Sequence, residues 1–329
     1  MKRIRRYSGK NTLIITTILL ITPLFMSWGE AGHLRINRAA VLSLPEPMQS
    51  FFYNHIDYVT QASPIPDLRR YLLDDKSENA RHYFDMENFG PYDSIPLTMA
   101  DANTVYSKDF LSKNGILPWY IENRMIELTR AFKEKRKTEI LFLAAELGHY
   151  IGDANTPLHT TVNYDGQLTD QKGMHSFWET RMLKMFSGEY NYYSGEAVYI
   201  KDIRQEIKCM LLASNALADT LLKVDRELKQ SFPSDLLYIK IKRDSTDKEE
   251  KLVYTDEYAK EYHQRLNGMV EKQIQKSIVA TSSFWYTAWV NAGKPDLSNM
   301  DPFDQTARNR KSLKKDLKLF QKGKLRDIK

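Results

Sequence analysis

The chain has 329 residues, 42% hydrophobic and 27% charged, the ordinary balance of a globular protein that can bury a sizeable core. Its single cysteine, Cys209, excludes an intramolecular disulfide. The formal charge of +6 does not by itself argue for nucleic-acid binding, because it resides at the two ends of the chain.

Residues 1–27 carry five Lys/Arg and no acid, and residues 308–329 carry ten against Asp316 and Asp327, so the body between them is about −7. At the start, Lys2, Arg3, Arg5, Arg6 and Lys10 precede an apolar run from Leu13 to Met26. That run is short for a bilayer span, so a cleaved secretory signal over residues 1–27 is expected in preference to a retained anchor. Ser27 suits the position before the cut, while Phe25 is larger than the small residue usual two places earlier. An exported protein, periplasmic or extracellular, is the expectation, with Trp28 as its first residue and no stable membrane anchor left.

Along the remaining chain the periodicity is helical. Apolar residues recur at three- and four-residue steps over Ile121–Phe132, Glu139–Ile151, Ile203–Val224 and Asp256–Val290. Loops are marked by Ser63-Pro64-Ile65-Pro66, by Gly90-Pro91 and by the stretch from Val162 to Gly173, and the last long helix should stop near Gly293-Lys294-Pro295. Strand-like alternation is confined to Tyr238-Ile239-Lys240-Ile241-Lys242, which reads as a peripheral hairpin running into a polar loop. Cys209 lies in an apolar helical stretch and reads as a buried small hydrophobe. No internal repeat or Gly/Ser linker divides the chain. The expected architecture is one all-α, multi-helix domain over residues 28–304, followed by a basic tail over 305–329. In that tail Leu313, Leu317 and Phe320 could form a weak amphipathic helix, but disorder is expected.

Five of the seven histidines fall in company that suggests metal. His149 and Asp153 are one helical turn apart on one face, and His175 and Glu179 repeat that spacing. His159 lies between the two pairs. Each pair alone is an ordinary helix-surface or core pairing; together they make a set of nitrogen and oxygen donors of the kind that binds Zn²⁺. Upstream, Asp67 opens a helix after Pro66, where it could equally be a cap, and Arg70 follows one turn later. His82 stands in Arg81-His82-Tyr83-Phe84-Asp85, and His33 closes Trp28-Gly-Glu-Ala-Gly-His33. A free amine on Trp28 would itself be a nitrogen ligand once deprotonated. His55 and His263 have no neighbours at ligand spacing. The run Phe284, Trp285, Tyr286 and Trp289 reads as core.

In these ordered motifs the chain resembles the superfamily of zinc-dependent phospholipases C and S1/P1 nucleases. The likeness covers Trp28 to about Glu179, with a looser fit beyond. It implies three zinc ions: one held by the Trp28 amine and carbonyl, His33 and Asp153; a second by Asp67, His82, His149 and the bridging Asp153; a third by His159, His175 and Glu179. It further implies that Asp67 orients or deprotonates the attacking water, that Arg70 binds the phosphate, and that Tyr83 and Asp85 stack and hydrogen-bond a base. The substrate would be single-stranded nucleic acid or a 3′-nucleotide, acted on by a monomer. A phospholipase C acting on head groups is the alternative. Glu179 and the short interval from His159 to His175 fit that branch, whereas Leu68 and Asn79 replace the aromatics of its choline cage. A zinc-binding exported protein without turnover is a further reading.

Overall fold

The computed structural model describes residues 29–241, 251–300 and 307–326, and it is all-α but for one two-stranded ribbon. The expected signal and Trp28 lie outside the described residues. No described helix is long and apolar enough to cross a membrane.

The helices are α1 Gly29–Leu42, α2 Met48–Asn54, α3 Ile56–Gln61, α4 Ile65–Leu72, α5 Lys76–Asn79, α6 Met99–Val105 and α7 Lys108–Asn114. Then come α8 Leu117–Lys133, α9 Lys137–Ala154, α10 Met174–Ser176, a π-helical stretch Phe177–Arg181, α11 Met182–Phe186 and α12 Ile203–Ser231. The chain ends with β1 Tyr238–Ile241, β2 Lys251–Tyr254, α13 Asp256–Arg265, α14 Met269–Asn291 and α15 Ala307–Gln321.

The centre of the molecule is α9, whose residues are buried almost without a break from Ile140 to Ala154. It is wrapped by α1, α8 and α14, the arrangement expected of a helix that is apolar nearly all round. Side chains from the neighbours fix its position. Asn37 of α1 donates its amide to Ala145 O (3.0 Å) and Val59 O (3.2 Å). Trp285 of α14 donates to Ala144 O (3.0 Å), and Gln273 donates to Asn155 O (2.7 Å) just past the end of α9. The loop before α10 is held by buried Gln171, which donates to Leu222 O (2.7 Å) and Asp225 Oδ2 (2.6 Å) of α12.

Three expectations from the sequence need correction. The periodic stretch Asp256–Val290 is two helices, broken where Asn267 (φ 49°) and Gly268 (φ 74°) take left-handed conformations. Asn-Gly is a turn signal that the continuing apolar pattern masked. Cys209 is exposed, because α12 turns Ile207, Met210 and Leu211 inward and leaves it on the outer face. The basic tail is ordered over 307–326: α15 buries Leu313 and Phe320, and Tyr53 of α2 donates to Asp316 Oδ2 (2.7 Å). The expected hairpin is present and peripheral, with Tyr238 paired to Tyr254 and β1 exposed throughout. His263 stacks on Phe186 at 3.9 Å and accepts from Tyr190, well removed in role from the other imidazoles.

Gly148 marks the tightest helix crossing. A Cβ there would sit 2.0 Å from Asn37 Oδ1, and Asn37 cannot yield without releasing two carbonyls. Gly148→Ala gains about 1 kcal/mol of helix propensity but meets an overpacking cost of about 1–3 kcal/mol, plus that of unsatisfied carbonyls. A lower urea midpoint with an unchanged slope is the expected outcome; an unchanged or higher midpoint would refute the crossing.

Candidate metal centre

The donors come from six short segments that the bundle gathers at one end of α9. His149 and Asp153 occupy its last turns and are 0% and 2% exposed. His33 is brought in by α1, whose backbone approach is possible because residue 152 is glycine: a Cβ there would lie 3.0 Å from His33 Nδ1. Asp67 sits in the first turn of α4. His82 follows α5, in a segment clamped to the chain after α9 by Phe84 N donating to His159 O (2.8 Å). His159 lies on a 3₁₀ turn, Pro157–Thr160, and His175 and Glu179 straddle the junction of α10 and the π-helical stretch.

Asp153 is the hub. Its Oδ2 is 3.0 Å from His82 Nδ1 and 3.3 Å from His149 Nε2, and its Oδ1 is 3.5 Å from His33 Nε2 and 3.6 Å from His159 Nδ1. Asp67 Oδ1 lies 3.8 Å from His82 Nδ1 and 4.0 Å from His149 Nε2. Beside this group, Glu179 Oε2 stands 2.9 Å from His175 Nε2 and 3.3 Å from His159 Nε2. Three sets of donor atoms each fall within 4.8 Å of one another: His33, Asp67 and His149; His82, His149 and Asp153; His159, His175 and Glu179.

Whether these residues suit a metal ion can be tested on their orientation. His82 Nδ1 and His149 Nε2 face each other at 3.1 Å. Two imidazole lone pairs at that separation repel unless a proton or a cation lies between them. The outward nitrogens of two rings are engaged by backbone carbonyls, His159 Nδ1 by His82 O (2.6 Å) and His175 Nδ1 by Tyr164 O (3.0 Å), while His82 Nε2 stands 3.5 Å from the Glu78 carboxylate without a hydrogen bond. An outward N–H held by a carbonyl or carboxylate leaves the inner nitrogen as the lone-pair donor, the pattern of metal-bound histidine. The outward Nδ1 atoms of His33 and His149, like His82 Nε2, are buried without a hydrogen-bond partner. The donor set fits divalent metal.

Behind the cluster lies a layer that the sequence reading missed. Glu78 is wholly buried and accepts from Arg69 Nε (2.8 Å), Arg81 Nη1 (2.7 Å) and the Tyr150 hydroxyl. Glu146, one turn before Tyr150 on α9, pairs with Arg69 and Arg124. It is thus Arg69 that points into the core. Arg70 is half-buried and near enough to Tyr83 for its charge to counter the effect of burial on that phenol.

Tyr83 is held in place, its hydroxyl donating to Lys113 O (2.9 Å) and its backbone against Gly115. Gly115 has φ 90°, and a Cβ there would fall 2.0 Å from Tyr83 O, so only glycine fits. Asp85 is buried, and burial together with the Glu87 charge pushes its carboxyl up to about 7. Tyr164, also missed, exposes its ring beside His175 at 6.4 Å. Trp28 lies outside the described residues, but Gly29 packs on the cluster: a Cβ at that position would be 2.6 Å from Glu179 Oε1.

Residues 28–282 match the family model of the S1/P1 nucleases. This chain belongs to the S1/P1 nuclease family. The matched span holds every residue of the three donor sets and leaves α15 outside it. No curated protein matches the chain. Membership in the S1/P1 nuclease family makes the protein a hydrolase of phosphate-ester bonds.

Protonation of the metal-free cluster follows from its contacts. Burial lowers the pKa of His82 and of His159, but their acidic partners outweigh it and push both up to about 9. Burial, with the stacked His149, takes His33 down to about 4. Burial opposes ionisation of Asp153 and Glu179, yet their imidazole neighbours hold both well below the usual carboxylate range. A histidine raised in the folded state contributes stability that is complete below its ordinary value of 6.5 and is lost as pH rises through about 9. His33 acts oppositely, losing stability only as pH falls from 6.5 towards 4. The chelated protein should therefore have a lower urea midpoint at pH 9 than at pH 6.5. Metal needs unprotonated donors, so the metal-loaded protein should not show that loss. A midpoint of the chelated protein that rises across this window would contradict the assignment of charge.

Proposed function

We propose that this S1/P1 family member is an exported, zinc-dependent phosphoesterase with three zinc ions, acting as a monomer on single-stranded nucleic acid or 3′-nucleotides. The observation that carries the reading is the facing of His82 Nδ1 and His149 Nε2 beside Asp153, with the outward nitrogens of His159 and His175 tied to backbone carbonyls. In this reading Trp28, His33 and Asp153 hold one ion, Asp67, His82, His149 and Asp153 a second, and His159, His175 and Glu179 a third. Bound zinc would supply Lewis acidity toward the phosphate and a hydroxide near neutral pH.

The chain's own groups have complementary tasks. The Asp67 carboxylate orients the attacking water and accepts its proton. Arg70 donates paired hydrogen bonds to the phosphate as charge accumulates on its oxygens. The Tyr83 ring offers a base a stacking face worth about 1–3 kcal/mol. Asp85 hydrogen-bonds that base, as donor or acceptor according to a pKa near 7. The domain over 28–304 would be the catalytic unit. Leu68 and Asn79, without aromatic rings, argue against choline recognition.

The test is turnover of bis-p-nitrophenyl phosphate with and without chelator, followed by single-stranded DNA, 3′-nucleotides and phospholipid vesicles on the same sample. Zinc-dependent hydrolysis of the nucleic-acid substrates is expected. Arg70→Ala should lower kcat about 100-fold or more while zinc content stays constant. No zinc-dependent turnover would leave a binding protein, and turnover of vesicles alone would leave a phospholipase.

Signal removal before Trp28 is part of the same reading. Support comes from the contact of Gly29 with Glu179 and from a family match that begins at residue 28. One additional residue before Trp28 removes its free amine from the donor set. Metal analysis should then show weakened binding of one zinc; full zinc content and full activity in the extended protein would remove Trp28 from the ligand set.

A further inference from the structure

The C-terminal helix has no part in the site described so far, and its charge is extreme. Residues 307–326 hold nine Lys/Arg, all exposed, against Asp316 alone. Arg308, Lys311, Lys314, Lys315 and Lys318 recur at steps of one and three along α15, which puts them on one side of the helix, and Lys322 follows directly after its last residue. The opposite side carries Leu313 and Phe320, 7% and 1% exposed. That side is fastened to the body. Tyr53 donates to Asp316, Asn309 donates to Asn54 Oδ1 (3.2 Å), the Phe320 ring meets Tyr193 at 5.4 Å, and Arg326 donates to Glu189 O (2.9 Å). The basic side chains are therefore a fixed ridge, about 22 Å long at 1.5 Å per residue, on a body whose formal charge is about −7.

We propose that this ridge is a holding surface for a single-stranded polynucleotide, distinct from the phosphate-ester site. The proposal rests on the nucleic-acid reading given above. Two physical points select this partner. A strip with nine Lys/Arg against one acid in twenty residues supplies both capture and orientation of a long polyanion. An anionic membrane is the competing partner for a basic helix, but a helix lying in a bilayer interface inserts its apolar face. Here that face is consumed by packing on the body, and none of the exposed large hydrophobic side chains lies on α15. Lysines set three and four residues apart stand about 5–6 Å from one another, a spacing that an extended phosphate backbone can follow.

The experiment compares the purified zinc-loaded protein with a variant carrying Lys311→Gln, Lys314→Gln, Lys315→Gln, Lys318→Gln and Lys322→Gln. Binding of a cleavage-resistant phosphorothioate oligodeoxythymidine of about 30 nucleotides is read by fluorescence anisotropy at low and moderate salt. Each neutralised phosphate contributes about 0.7 to the slope of log K against log salt on a single strand. The variant should lose at least about tenfold in affinity at low salt, and its slope should flatten by about 2–3. Its turnover of bis-p-nitrophenyl phosphate and its melting temperature should match those of the unaltered protein. Replacing the same five lysines by Arg should restore binding.

Equal affinity and slope in the two proteins would overturn the proposal, as would binding of phosphatidylserine vesicles with no binding of the oligonucleotide. If zinc-dependent turnover is present but the lysines make no difference to binding, the holding surface fails and the phosphoesterase reading stands. Lysine-dependent binding without turnover gives the reverse.

Discussion

Asp153 is a carboxylate with almost no contact with water, surrounded within 3.6 Å by nitrogens of four imidazoles. Burying a charge this way is costly unless the opposite charge is supplied on the spot. Protons can supply it in part, but they leave rings such as His82 and His149 competing for one small space. Divalent cations supply it with fewer particles and fixed directions. Much of the rest of the fold follows from meeting that demand. Gly152 lets α1 come close enough to present His33, Gly29 lets the first turn of α1 lie against Glu179, and the segment around His82 is clamped to His159 through the backbone.

The central helix serves both the cluster and its support. Glu146, His149, Tyr150 and Asp153 follow one another at three, four and seven residues, so they form a polar stripe on an otherwise apolar helix, and the stripe points inward. Its lower half, Glu146 and Tyr150, meets Arg69, Arg124 and Glu78; its upper half meets the metal-type donors. Glu78 links the two by lying between Arg69, Arg81 and the outward nitrogen of His82. Removing one member of such a network leaves another charge buried and uncompensated, at a cost of about 3–5 kcal/mol. The rigidity of the site thus depends on charges well outside the donor set.

Local spacing made the two His-to-acid pairs legible, since residues four apart on a helix must share a face whatever the remainder of the chain does. The helical class and the peripheral hairpin were legible for the same reason, through periodicity. Asp67, His82 and His33 stand out as candidates in the sequence, but only the resemblance joins them to the two pairs, because their convergence with α9 is a property of tertiary packing. Glu78 and Glu146 carry no signal in the sequence: an ion-pair network with Arg69, Arg81 and Arg124 has no period. The order in α15 was hidden as well. Its hydrogen-bond partner Tyr53 lies 263 residues earlier in the chain, and a basic segment with three apolar residues does not disclose that a groove awaits it. Cys209 was misread because the apolar stretch around it is wider than the face that α12 buries.

The π-helical stretch at Phe177–Arg181 has one further implication. A turn of this kind holds an extra residue relative to an α turn and shifts the phase of everything after it. Before and within it, His175 and Glu179 must look toward the donor cluster; around and after it, Phe177, Trp178, Met182 and Leu183 must look into the core. Deleting one residue here would rotate the following helix by about 100°, swinging Met182 and Leu183 toward solvent or Glu179 off its partners. The length of this segment is therefore pinned from both sides. Variation in residue count among related chains should accumulate in the loops that flank it, and spare the helix itself.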